Sequence, residues 1–221
     1  MTTRRALRAL PPALALCAAI SLGAQQPAAR KAPTHPALAS WLLASDRAHD
    51  LVRAADSEAS LVRRLGPRNV RWSRIELEEG DSVDATVLFP HDALRRVEVV
   101  WGDPATRSRP ERVIVHLPGS PWLVWPGIGI GSSLASLQRL NDGPFELTGM
   151  EGHSPGLVSS WRNGALSPLS DRVFVRLAPG DTVGHDCPRY PEIQSGWSNR
   201  SSHPAMACLA PVVYRIEFIP R

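Results

Sequence analysis

The string Gly152-His153-Ser154-Pro155-Gly156 matches the G-x-S-x-G pattern that seats a nucleophilic serine on a strand-to-helix elbow. Backbone chemistry argues against that role here. The elbow needs the N–H of the residue after the serine to complete an oxyanion hole, and Pro155 has none. Pro155-Gly156 also leads into an expected strand rather than a helix, so the string reads as a hairpin turn and no catalytic residue is assigned. The seven histidines, at 35, 49, 91, 116, 153, 185 and 203, fall singly and form no i,i+4 ligand pair, so no metal centre is expected. Glu78, Glu79, Asp81 and Asp84 surround an expected hairpin tip, where solvated turn charges are the ordinary explanation. Gly127, Gly129 and Gly131 follow Pro126 without the strand and acidic partner of a dinucleotide fingerprint, and no cofactor is expected.

Tryptophan and cysteine carry more information. Seven tryptophans is high for 221 residues, and Pro121-Trp122-Leu123-Val124-Trp125-Pro126 holds two of them between prolines, where a central strand is disfavoured. Exposed indoles make contact hot spots because they bury a large area at little rotameric cost. Trp122, Trp125 and Trp161 are therefore the candidate binding residues. Trp122 and Trp125 could equally be core, and Trp41, Trp72 and Trp101 are expected between helix and sheet. Cys17 lies in the leading segment described next, which leaves Cys187 and Cys208 as an even pair. A disulfide between them is expected, closing a Gly/Ser/Pro-rich loop for roughly 3 kcal/mol. The competing metal site, built on His185, Asp186 and His203 with the two thiolates, fits no zinc spacing.

The first 24 residues read as a secretory signal. Arg4, Arg5 and Arg8 precede the apolar stretch Ala9 to Ile20, and Ser21-Leu22-Gly23-Ala24 offers a cleavage site. Leu14-Ala15-Leu16-Cys17 resembles a lipobox but has leucine where a small residue is wanted, so lipid anchoring is not expected. Without the signal, 197 residues remain with 22 basic and 21 acidic side chains, and the whole-chain net charge of +4 falls to about +1. The scattered arginines then form no footprint for nucleic acid, and no apolar run reaches the roughly 18 residues of a membrane span. An exported chain, periplasmic or extracellular, is the expectation.

The elements that must position these residues follow from periodicity. A Pro/Ala-rich leader spans 25–35. Leu38, Trp41, Leu42, Ser45, Ala48, His49 and Val52 then recur at helical spacing after Pro36, and a second helix begins near Ser57-Glu58 and stops at Gly66-Pro67. From Val70 the period becomes two, which predicts strands over 70–78, 83–89, 96–101 and 112–117. A short helix with Leu134, Leu137 and Leu140 follows, stopped near Gly143-Pro144. Strands are then expected at 145–150, 157–161, 172–177 and 212–219. Helix and four strands thus occur twice, dividing the chain into halves 36–126 and 127–221. Either a duplication or the commonness of Gly-Pro stops accounts for it. The fold class is α+β, with short helices on one face of an antiparallel sheet and the other face partly wet.

Gly127-Ile128-Gly129-Ile130-Gly131-Ser132-Ser133-Leu134-Ala135-Ser136-Leu137, continuing to Pro144 and then a strand, a glycine turn and another strand, resembles the repeating unit of the β-lactamase-inhibitor-protein-like superfamily. That group includes small envelope-assembly lipoproteins and secreted inhibitors. The likeness covers about 40 residues, and the whole chain also resembles an uncharacterised bacterial secreted family. The superfamily resemblance implies non-catalytic protein binding through a sheet face. The expected function is accordingly a non-enzymatic binding module of the bacterial envelope whose partner is another envelope protein. The alternative is a small secreted hydrolase or carbohydrate-active protein whose acidic or histidine residues converge only on folding.

Overall fold

The computed structural model describes residues 42–44, 50–77, 80–180 and 187–221, all within one compact unit, Ala37–Arg221. The signal, the leader, Trp41 and most of the first expected helix lie outside the described residues. Where that helix is described, it is corrected: Leu42–Ala44 is a strand, β1, paired in parallel with β6 (Leu123–Val124). Backbone pairing available in the fold overrides a helical stripe that local propensity supports only weakly.

The next helix, α1 (Glu58–Leu65), begins where expected, because Ser57 and Ser60 cap each other. The Ser57 N–H donates to Ser60 Oγ at 3.0 Å, and the Ser60 N–H donates to Ser57 Oγ at 3.3 Å. It ends at Gly66, whose φ of +88° suits glycine. The period-two segments form β2 (Val70–Glu76), β3 (Ser82–Leu88), β4 (Val97–Asp103) and β5 (Ser108–Val115), an antiparallel meander. After β6 and β7 (Ile128–Gly129) comes α2 (Leu134–Leu140), capped by Ser133. Then follow β8 (Glu146–Leu147), β9 (Val158–Ser160), β10 (Val173–Ala178), β11 (Asn199–Arg200), α3 (Ala205–Leu209) and β12 (Val212–Phe218).

After α2 come five strands, β8 to β12, with α3 before the last of them, and the boundary at 126/127 is not a boundary in the sheet. The main sheet runs β10-β12-β5-β4-β3-β2, drawing on both expected halves, while β8 pairs with β11 on one side and β9 on the other in a separate three-stranded sheet. All the main sheet's pairings are antiparallel.

Alternation then divides the main sheet into two unlike faces. On one, Val97, Val99, Val113, Val115, Val175 and Phe218 share a single buried cluster with Leu61 of α1, Leu137 of α2 and Met206 of α3. Among the described residues of this face, Trp101, Thr86 and Glu58 satisfy one another. Trp101 Nε1–H donates to Thr86 Oγ1 at 2.8 Å, and the Thr86 hydroxyl donates to Glu58 Oε2. On the other face Ile75, Ala85, Val87, Val100 and Ile114 form a smaller buried cluster, to which no described helix contributes.

Candidate functional site

The helix-free face of the main sheet gathers charge at its β4–β5–β12–β10 side. Glu98 pairs with Ile114, and Ile114 with Glu217, so both carboxylates lie in one row across the strands. Two residues along, Arg176 pairs with Arg215, and beyond them lie His116, which directly follows β5, and Arg96, which directly precedes β4.

Each carboxylate is clamped by two cations: Glu98 by Arg96 and His116, just outside the ends of β4 and β5, and Glu217 by Arg215 of its own strand and Arg112 of β5. Glu98 accepts from Arg96 Nε at 3.1 Å and NH2 at 2.9 Å, and His116 Nε2 lies 3.4 Å away. Burial alone would raise its pKa; the His116 imidazole and the Arg96 guanidinium outweigh that and hold it below the ordinary glutamate value. Glu217 accepts from Arg215 Nε at 2.8 Å and from Arg112 NH1 at 3.5 Å. The side chains of Glu98, Arg215 and Glu217 are 4%, 7% and 8% exposed, whereas Arg96, Arg112 and His116 stand about one third exposed at the rim.

This arrangement is built to hold charge in place rather than to move protons. Glu98 is ionised and occupied, which disqualifies it as a general acid. At 3.4 Å, His116 makes an ion-pair contact with Glu98 when protonated. No serine, threonine or cysteine is hydrogen-bonded to its Nε2 among the described residues, so a carboxylate–histidine pair is present without a nucleophile to activate. Among the described residues, no group of three or more His, Cys, Asp or Glu could hold a metal ion.

The tryptophans divide sharply. Trp122 is buried, with its Nε1–H donating to the Arg95 carbonyl at 2.9 Å and its ring stacked 6.2 Å from Phe89. Trp161 is buried against Phe145 at 5.1 Å. Neither presents a ring to a partner. Trp125 is 53% exposed at the tip of the β6–β7 hairpin, which the Gly127 N–H closes by donating to the Val124 carbonyl at 2.8 Å; the Trp125–Pro126 bond is cis. Trp101 and Trp72 pack with the core, Trp72 beneath the Arg107 guanidinium at 4.0 Å. Trp197, absent from the sequence-based candidates, is 80% exposed.

Cys187 and Cys208 are disulfide-bonded, with Cα atoms 5.7 Å apart, as expected. Of the rival metal ligands, His185 and Asp186 lie outside the described residues, while His203 Nε2 sits 3.5 Å from Glu192. Within the bridged loop Tyr190 donates to Glu151 Oε1 at 2.7 Å; burial and that contact push its phenol up to about 12.

The G-x-S-x-G string is a turn. The Thr148 hydroxyl donates to the Ser154 carbonyl, and the Gly156 carbonyl accepts from the Leu177 N–H of β10. A Cβ at Gly156 would fall 1.8 Å from the Leu177 carbonyl oxygen, so the glycine is there for close backbone approach, and β9 follows instead of a helix.

Comparison with protein-family models, with curated proteins and with solved structures finds no match.

Proposed function

We propose that this chain is an exported, non-catalytic protein-binding module of the bacterial envelope, and that the helix-free face of its main sheet is the contact surface. The observation that carries the reading is the asymmetry of that sheet. All three described helices join the apolar cluster of one face, while the other bears a separate small cluster beside two rows of ordered charge. Charge held between fixed neighbours recognises a partner without having to be reorganised on binding. This agrees with the sheet-face binding that the β-lactamase-inhibitor-protein-like resemblance implies. The export signal at 1–24 and the Cys187–Cys208 bridge support a destination outside the reducing cytosol. Trp125 favours a second contact, because a hairpin tip that leaves an indole half exposed offers a compact anchor.

The test is capture of cross-linked proteins from the native envelope. The baits are the native chain, an Arg172→Glu/Arg176→Glu variant of the helix-free face, a Trp125→Ala variant, and an Arg63→Glu/Arg139→Glu control on α1 and α2. The reading expects one specific protein held by the native and control baits and lost with the sheet-face variant. Equal recovery by all four baits, or none by the native one, would overturn it.

A further inference from the structure

The main sheet treats its two edges differently. At the β10 edge, Leu157 bridges to Arg176 and the Leu177 N–H donates to the Gly156 carbonyl at 2.9 Å. At the β2 edge no strand follows among the described residues. The Leu77 N–H donates to the Asp81 carbonyl at 2.7 Å and the Phe89 N–H to the Asn69 carbonyl at 2.8 Å, so the odd-numbered residues of β2 bond to β3. Alternation then turns the N–H and C=O groups of Val70, Trp72, Arg74 and Glu76 away from the sheet. Among the described residues these groups meet only the Ser73 hydroxyl, which reaches the Arg74 carbonyl at a long 3.4 Å. Edge strands are ordinarily protected by proline, a bulge, short length or charge. β2 is seven residues long, lacks proline and glycine, and pairs with β3 without a register shift. Its charges are its one protection.

We infer that the β2 edge pairs in antiparallel fashion with β2 of a second copy of this chain, about a two-fold axis at Ile75. This register sets Arg74 opposite Glu76 of the second copy and Glu76 opposite its Arg74. Both are outward-bonding residues, so each pair exchanges two backbone hydrogen bonds with Cα atoms about 5.5 Å apart. The charges that repel an arbitrary strand thereby become two cross-strand ion pairs. Sliding to an axis at Ser73 would place Arg74 opposite Trp72 and Glu76 opposite Val70, losing both. Glu76 is exposed and has no ion pair among the described residues. Arg74 donates through Nε to Ser82 at 2.8 Å and lies 3.7 Å from Asp84, yet its side chain is 66% exposed and a guanidinium has five donors. Pairing therefore leaves its own-chain contacts in place. A contact of two strands is small, so the dimer is reversible.

The test measures the mass of the full chain by sedimentation at rising concentration and at two salt concentrations. Mass is expected to climb from monomer towards dimer, less steeply in high salt. Arg74→Glu and Glu76→Arg should each weaken self-association by about tenfold or more, because each sets like charges opposite one another twice. Mixing these two variants should restore a dimer, since glutamates 74 and 76 of one copy then face arginines 76 and 74 of the other. The double variant Arg74→Glu/Glu76→Arg should associate like the native chain, and Arg63→Glu on α1 should change nothing, with every fold checked by circular dichroism. A native chain that stays monomeric at all concentrations, association indifferent to both single changes, or a mixture no tighter than its components would overturn the inference. Capture through the helix-free face does not involve β2 pairing, so neither result decides the other.

Discussion

The two faces of the six-stranded sheet are made from the same strands and yet obey different physics. In β4, Val97 and Val99 enter the helix-covered core while Glu98, between them, meets Arg96 and His116 on the other side. In β12, Ile216 and Phe218 face the core and Arg215 and Glu217 face away. A slip of one residue in either strand would exchange the two sets, so the cost of burying charge under the helices fixes the register as firmly as the apolar packing does. The covered face gains stability from close packing, whereas the charged face spends desolvation energy on order.

That contrast can be broken by substitution. The largest effect is expected from Phe218→Ala on the covered face, where a fully buried ring is lost: about 3–5 kcal/mol of unfolding free energy by denaturant titration. On the charged face, Arg215→Met should cost about 3 kcal/mol by stripping Glu217 of its nearest partner, while Arg215→Met with Glu217→Leu should be close to neutral. A single-variant cost below about 1 kcal/mol would mean that water solvates this pair. Thr86→Val, which deprives Trp101 Nε1 and Glu58 of their common partner on the covered side, should cost about 2 kcal/mol.

A smaller difference should show in pH dependence. The pKa of Glu98 is depressed in the fold, so its stabilising contribution is present above the ordinary glutamate value of 4.5 and is lost as pH falls through the folded value. Glu98→Gln should flatten the stability profile in that acid window without changing its slope near neutrality. Least of all, Trp125→Ala should leave stability within about 0.5 kcal/mol, since the ring is half exposed, so any loss of capture by that variant reports contact rather than unfolding.

Much of this fold is legible in the sequence because local rules and tertiary packing agree. The Ser57 cap, the Gly66 stop and the period-two runs from Val70 each fix an element to within a few residues. Leu42–Ala44 was not legible, because its strand exists through pairing with Leu123–Val124, about eighty positions away. The short α3, which carries Cys208 itself, has no side-chain hydrogen bond from its N-cap to announce it. The charged site left only a faint trace, the pattern R-x-E in two expected strands, Arg96-Val97-Glu98 and Arg215-Ile216-Glu217. That both strands flank β5 and bring their glutamates to either side of Ile114 is a property of the sheet order, which alternation does not encode. Tryptophan count, the loudest compositional signal, mostly reported core: Trp101, Trp122 and Trp161 are buried, and Trp125 is the sequence-based candidate left with a ring in solvent.

The central claim is that the helix-free face is where a partner sits. A scan with a photo-reactive amino acid in the native cell, placed in turn at Arg172, Phe174 and Arg176 on that face and at Arg63, Ala135 and Arg139 on the exposed sides of α1 and α2, tests it most directly. The account predicts adducts to one and the same protein from the first three positions and none from the second three. Adducts from the helix positions alone, or equal adducts from both sets, would contradict it.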